Sequence, residues 1–340
     1  MMEFHRALFI QLRRIGDILM CTPAIRAFKS AHPECSLDFL TEHPEVLDGN
    51  PYIEHVIRVD KKVQYHPLRQ IELIKRIRAG RYDLVVDFLA NPRSAWYTAL
   101  SGVKTRLSYG YGHRRWAYNL IPQRPQGPTY AAIDKLRLLS PIGIECNDPR
   151  LDFCVLDKER TNINAIVKDI SGLLITISPV SRKEYKRWPL ERFAILGDML
   201  TRDLGASIVI LAGPGEEKVA DKMASLMSSK PSVPRITRLG ELGAIFEKAA
   251  LHIGNDNGPK HIAVAVGAPT FTIFGRQDPI SWTYPDTLRH FWISPDDYCQ
   301  DCRLKRHRGD SNCIELIPVE AVAERVRRAM EILLRPIPKP

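Results

Sequence analysis

The chain has no apolar run that approaches the roughly 20 residues needed to span a bilayer, so no segment reads as a membrane-crossing helix. Its first residues, MMEFHRALFIQLRR, place an acid and a histidine before the apolar run and lack a small-residue cleavage site. They do not read as a secretory signal, and the expected location is the cytoplasm. Two nucleotide-binding fingerprints are also missing. Neither G-x-x-x-x-G-K-[ST] nor G-x-G-x-x-G follows a strand pattern, which argues against a P-loop nucleotidase and a standard nicotinamide dehydrogenase. Cysteine is sparse and odd in number; seven residues fit reduced thiols or a metal site better than a secreted disulfide framework. There is no repeat of 20–50 residues and no low-complexity segment.

What is present points to a soluble globular chain. Its 340 residues exceed the usual size of one hydrophobic core, so two domains are expected. The net charge of +10 is uneven: residues 1–150 hold 22 Lys+Arg against 15 Asp+Glu, residues 151–340 hold 27 against 24. A basic N-terminal half suits an acidic partner such as nucleic acid, anionic lipid or a phosphorylated substrate, or is a solvated surface.

Apolar β-rich runs alternate with helical patterns. Strands are expected at 7–12, 37–40, 56–59 and 83–89, with helices at 23–31, 68–78 and 131–139. The nearly continuous apolar run DLVVDFL at 83–89 fits a strand covered on both faces. The pattern restarts with strands at 173–178, 207–212, 251–254 and 269–274. Helices follow at 190–202, 216–227, 259–266 and 319–334, and a short one ends at 245–250. Such alternation implies parallel sheets with right-handed crossovers, and two series imply two doubly wound α/β domains joined near 157–172. Ligands of such sheets bind beyond the carboxyl ends of the strands.

Three loops at those ends carry candidate chemistry. After the first strand come Arg13, Arg14, Ile15, Gly16 and Asp17. Gly16 permits a tight turn, and a carboxylate near a helix start can accept a proton from a substrate hydroxyl. Asp17 also fits an ordinary turn or cap. The loop from Ser178 to Pro189 holds four cations in six residues, Arg182, Lys183, Lys186 and Arg187, which suits either a phosphate ligand or a solvated surface. In the third loop Asn257 and Gly258 precede Pro259, which fits the first position of a helix, whose unpaired N–H groups can hold an anion.

Taken in order, RIGDILMCTPAIRAFK at 14–29, KRWP at 186–189 and GNDNGPKHIAVAVGAPTFTIFG at 254–275 resemble the bacterial lipopolysaccharide heptosyltransferase family, glycosyltransferase family 9. The likeness runs from about residue 6 to about 330, and GNPYIEHVIRVD at 49–60 and PVEAV at 318–322 share it. The resemblance implies a GT-B architecture: two Rossmann-like, doubly wound parallel-sheet domains facing a cleft. Residues 1–160 would bind the acceptor and 171–317 the ADP-sugar, with 318–335 as a closing helix returning to the N-terminal domain.

By the same resemblance, Asp17 corresponds to the catalytic base and Lys186 to the lysine that contacts the donor and assists its departure. Gly16, Ser178, Asp256, Asn257, Gly258, Pro259 and His261 join Lys186 in the donor site. Either Glu216 or Glu217 would contact the ribose, and either also fits a helix first turn. Lys260 is left out, because helical direction turns it from the ligand. Arg13, Arg14, Lys61 and Lys62 are candidate acceptor contacts, with Arg114 and Arg115 as further basic candidates. The implied reaction is inverting transfer of a heptose from ADP-heptose to a hydroxyl of the lipid A-core acceptor, at the cytoplasmic face of the inner membrane.

Asp-x-Asp, through which many glycosyltransferases bind a diphosphate-holding cation, does not occur, so catalysis is expected to need no cofactor. Cys299, Cys302, His307 and Cys313 form a set that could hold a structural zinc, remain free thiols or form a partial disulfide. The alternatives are a glycosyltransferase with another nucleotide-sugar or surface-polysaccharide acceptor, and a non-catalytic nucleotide- or nucleic-acid-binding protein. No zinc-finger or aromatic RNA-binding motif supports nucleic acid as a partner.

Overall fold

A computed structural model describes residues 2–60, 66–124, 126–168, 170, 172–304 and 312–335. The chain divides into two compact units, Met1–Cys154 and Val155–Pro340. The first contains β1 (Arg6–Ile10), α1 (Ile15–Leu19), α2 (Thr22–Ala31), β2 (Ser36–Thr41), β3 (His55–Arg58), α3 (Pro67–Ala79), β4 (Leu84–Asp87), α4 (Pro92–Leu100), β5 (Thr105–Leu107) and α5 (Ala131–Arg137). The second contains α6 (Asp157–Val167), β6 (Leu173–Ser178), α7 (Leu190–Leu204), β7 (Ala206–Ile210), α8 (Glu217–Leu226), α9 (Leu239–Phe246), β8 (Leu251–Asn255) and α10 (Gly258–Ala265). It continues with β9 (Thr270–Ile273), α11 (Pro279–Trp282), β10 (His290–Ile293), α12 (Gln300–Arg303) and α13 (Val319–Leu333).

Each unit is a doubly wound α/β layer around a five-stranded parallel sheet. The first sheet has the order β3-β2-β1-β4-β5 and the second β10-β9-β8-β6-β7. Alternate residues of β1 go to opposite faces, as a two-residue period requires. Leu8 and Ile10 pack with Ile77 of α3 and Tyr97 of α4. Phe9 instead meets Phe28 of α2, with ring centroids 5.1 Å apart. Helices therefore cover both faces, which is why the strands read as continuous apolar runs. In the second unit Ile177, Ile253, Phe193 and Trp188 share one core. The Trp188 and Phe193 rings meet edge to face at 5.0 Å.

The alternation reading located most of the elements to within a few residues but missed the 11-residue helix α6, α4, β5, β10 and the short α11 and α12. The expected joint at 157–172 is largely helix: α6 belongs to the second unit, packed on α9, and the division falls before Val155. The closing helix placed by resemblance against the N-terminal domain has its apolar stripe inside the second unit. Val319, Val322, Val326, Ala329 and Met330 join the core there, against α7 and β10.

The two strand orders matter for function. A doubly wound sheet splays its loops apart where successive crossovers leave in opposite directions, and ligands bind in that crevice. The switch lies between β1 and β4 in the first sheet and between β6 and β8 in the second. The three loops singled out by sequence follow β1, β6 and β8.

Candidate active site

In the second unit, the loops after β6 and β8 are bound tightly to one another. A Cβ at Gly254 would lie 2.9 Å from the Ser178 carbonyl oxygen, and one at Gly275 would lie 2.6 Å from that of Tyr185. Glycine at both places is what allows this close backbone approach. Two asparagines then fasten the β6–α7 loop. The Asn255 side chain accepts from Trp188 N–H at 3.0 Å and donates to the Pro179 carbonyl at 3.0 Å. Asn257 donates to the Val180 carbonyl at 2.9 Å and to Ser178 Oγ at 3.3 Å, and its oxygen caps α10 by accepting from Lys260 N–H at 3.1 Å. These bonds are the local reason that Lys186, from one loop, reaches Asp256, in the other.

Asp256 is the centre of the arrangement. Lys186 Nζ donates to its Oδ2 and Lys260 Nζ to its Oδ1, both at 2.7 Å. The two lysines differ in surroundings. The side chain of Lys186 is 19% exposed and that of Lys260 only 3%. Lys260 also donates to the Trp282 carbonyl at 2.9 Å and lies over the Phe274 ring, 4.8 Å from its centroid. Burial pushes the Asp256 carboxyl upward, but Lys260 and then Lys186 outweigh it and hold it well below the ordinary carboxylate range. Burial lowers the Lys260 ammonium, with Asp256 opposing that shift. Two ammonium groups against one carboxylate leave an excess positive charge at the start of α10, where the helix dipole adds to it.

His261 is buried beside Asp256, with Nε2 4.0 Å from Oδ1 and no hydrogen-bond partner for Nδ1 among the described residues. Burial, then the neighbouring Lys260, keeps its pKa well below the ordinary value, so it is a neutral imidazole rather than a cation for phosphate. The first turn of α10 offers fewer donors than the sequence suggests. Pro259 has none, and Asn257 takes the N–H of Lys260. Gly258 and Pro259 do open the helix, half-buried. Ser178 is 1% exposed and supports Asn257.

The loop after β7 separates the two glutamates. Glu216 turns back to accept from Gly213 N–H at 3.2 Å. Glu217 lines a pocket with Ala212, Ala220, Val233, Arg235 and Thr237. Hydrogen bonding to the Gly215 backbone holds its carboxyl below its ordinary value.

In the first unit Gly16 and Asp17 lie on α1, Gly16 buried and Asp17 half-buried. Arg13 and Arg14 are exposed. Arg14 has φ of 69°, on the left-handed side that a residue with a Cβ seldom adopts. Ala90, in the loop after β4, has φ of 47°. Both loops at the switch point of this sheet thus hold a non-glycine residue in a strained conformation. Arg13 pairs with Glu42 at 3.6 Å, and Arg93 pairs with the same carboxylate. Lys61, Lys62 and His307 lie outside the described residues.

Sequence reasoning missed three groups. The first is Lys260; its signal was the i, i+4 spacing from Asp256. The second is Lys135 of α5, whose Nζ donates to the Phe88 carbonyl at 2.8 Å and to Gln11 Oε1 at 3.3 Å, at the carboxyl ends of β4 and β1. The third is Asp87, fully buried, which accepts from Tyr118 Oη at 2.7 Å and from the N–H groups of Leu89 and Ala90 at 3.0 Å each. Nothing local in the sequence distinguished either of the last two.

This chain matches the sequence model of glycosyltransferase family 9 (heptosyltransferase) over residues 70–311. It is 29% identical to lipopolysaccharide heptosyltransferase 3 of Escherichia coli strain K12, over 92% of this chain and 94% of that one. Its fold is similar to the crystal structure of a family 9 glycosyltransferase from Veillonella parvula, with a TM-score of 0.85 at 22% identity, covering 97% and 98% of the two chains. It is also similar to E. coli heptosyltransferase WaaC with ADP-2-deoxy-2-fluoro heptose, with a TM-score of 0.72 at 19% identity, covering 95% and 99%. With more than half its length matched by the family model and a GT-B fold to go with it, the chain belongs to glycosyltransferase family 9, the heptosyltransferases, and is a glycosyltransferase.

Proposed function

We propose that this enzyme transfers a heptose from ADP-heptose to a hydroxyl of the lipopolysaccharide inner core, with inversion. The observation that carries this reading is the net-positive Lys186–Asp256–Lys260 cluster at the switch point of the second sheet. In the proposed step the acceptor oxygen attacks the anomeric carbon while the bond to the diphosphate oxygen breaks. The bonding pair leaves with ADP, and the hydroxyl proton passes to the Asp17 carboxylate. A single displacement inverts the anomeric centre. Lys186 and the start of α10 stabilise the charge that develops on the leaving diphosphate. Glu217, in its pocket beyond β7, is the ribose contact we favour over Glu216. Arg13 and Arg14 remain acceptor candidates by position.

The test is transfer from ADP-heptose to defined truncated lipopolysaccharide acceptors, with EDTA present and product mass as readout. A heptose-sized mass gain in EDTA is expected. Transfer from UDP- or GDP-sugars alone would assign a different donor.

The acceptor is a lipid, and we propose that the first unit meets the membrane through α3, α4 and residues 112–117. No helix among the described residues is long and apolar enough to cross a membrane. Trp96 and Trp116 are exposed and in contact, with ring centroids 4.8 Å apart. Leu68, Ile71 and Leu100 are exposed on the same pair of helices, which also carry Arg69, Lys75, Arg76 and Arg78. Exposed tryptophan with cations suits the interface of an anionic bilayer. Full burial of one large apolar side chain is worth about 1.5–3 kcal/mol, so W96A/W116A should lower partitioning onto anionic vesicles by roughly tenfold or more. Sedimentation with phosphatidylglycerol vesicles checks this; unchanged partitioning would remove these helices from the contact.

A further inference from the structure

The Sγ atoms of Cys299, Cys302 and Cys313 all lie within 4.8 Å of one another, and Cys302 and Cys313 are buried. We infer that these three thiolates bind one thiophilic divalent metal ion, zinc in the first instance, and that this ion holds the Lys186 turn in its donor-binding position. The spacing fits a metal. Zn–S bonds of about 2.3 Å in a tetrahedron put the sulfurs about 3.8 Å apart. Cys299 and Cys313 stand at 3.6 Å, whereas a disulfide requires about 2.05 Å. Three soft sulfur donors select zinc or ferrous iron over calcium or magnesium. The fourth corner is left to water or another donor.

The consequence for the donor site follows from where the sulfurs are. Cys299 and Cys302 belong to the turn leading into α12 and its last residues, and Cys313 begins the single 3-10 turn Cys313–Leu316 that leads towards α13. That turn packs directly against the turn Glu184–Lys186, which carries Lys186. Just beyond it, the Ile317 carbonyl accepts from Trp188 Nε1 at 3.0 Å and from Arg192 Nη1 at 2.7 Å, and Arg192 also donates to the Glu315 carbonyl. A metal that ties Cys313 to Cys299 and Cys302 therefore fixes the surface on which the Lys186 loop rests. A thiolate metal centre of this kind contributes directly to folding free energy.

The experiment uses the full chain, purified without a polyhistidine tag in reducing buffer. Mass-spectrometric metal analysis should find about one zinc or iron per chain, lost in C302S and C313S. Cobalt loaded in place of zinc should show thiolate-to-cobalt charge-transfer bands. Releasing the metal from the wild-type chain with an organomercurial, followed by dithiothreitol and a chelator, should weaken ADP binding at least tenfold, and added zinc should restore it. This reversible arm keeps the test open where a cysteine variant fails to fold. Substoichiometric metal with all three thiols open to titration, or a disulfide among them, overturns the site. Stoichiometric metal with unchanged ADP affinity after its removal overturns the coupling to Lys186. The coupling rests on the proposed donor reading, and the metal content does not; a chain that binds zinc but never ADP would fail only the former.

Discussion

Lys186→Ala lowers heptose transfer by roughly 100–1000-fold while the protein stays folded, because losing one preorganised donor to a developing anion costs about 2.7–4 kcal/mol in the transition state. The same carboxylate holds a second lysine, and the contrast between the two is the sharper part of this expectation. Lys260 is 3% exposed in its side chain and sits among Asp256, the Trp282 carbonyl and the Phe274 ring. Removing one partner of a buried ion pair typically costs about 3–5 kcal/mol. Lys260→Met should therefore lower the melting temperature by roughly 6–20 °C, on the scale of about 2–4 °C per kcal/mol for a unit of this size. Lys186 keeps contact with solvent, and its removal leaves Asp256 still paired with Lys260. Single-turnover kinetics and thermal unfolding of both variants separate the roles. Equal unfolding penalties with little loss of turnover in Lys186→Ala would show that both lysines only brace Asp256.

Asp17→Asn should lower transfer by about 100–10,000-fold, the range for a positioned general base, and leave ADP affinity within about twofold. Asparagine preserves size and hydrogen bonding but cannot take the proton. The expected loss appears in kcat rather than in donor KM. The position of Asp17 supports the role without depending on its neighbours' chemistry: it follows Arg14, whose positive φ sets the entry to α1 at the switch point of the first sheet. An Asp17→Asn enzyme with normal turnover would return this residue to the ordinary turn it resembles in isolation.

Much of this was legible in residue order. The strands β1, β4, β6 and β8 announced themselves as apolar runs because both faces of each sheet are covered. The loops after β1, β6 and β8 stood out through Gly16, Pro189, Gly258 and Pro259, residue types that mark turns and helix starts. Edge elements were less visible. β10 is four residues long and has Trp292 exposed, so its pattern lacks the continuous apolar signal. α4 was hidden by its Pro92 start and by Trp96 and Leu100 on its outer face, although Asn91 caps it through Ser94.

The site itself divides along the same line. Asp256, Asn257 and Lys186 could be named from their motifs. Which of them touches which could not, because contact depends on β6 and β8 being neighbours in the sheet although 72 residues of sequence separate Ser178 from Leu251. Lys260 was dismissed on helical direction, yet the cap at Asn257 starts α10 so that a residue four positions after Asp256 returns to it. Sequence alone determined the class of fold, the loops that are candidates for chemistry and the family resemblance, since periodicity, glycine and proline report local backbone demands. Only the tertiary structure decided that Asp256 holds two lysines of unlike burial, that the closing helix completes the core of its own unit, and that Cys313 meets Cys299 and Cys302. Those are encounters between distant segments, and strand order and packing, not spacing along the chain, bring them about.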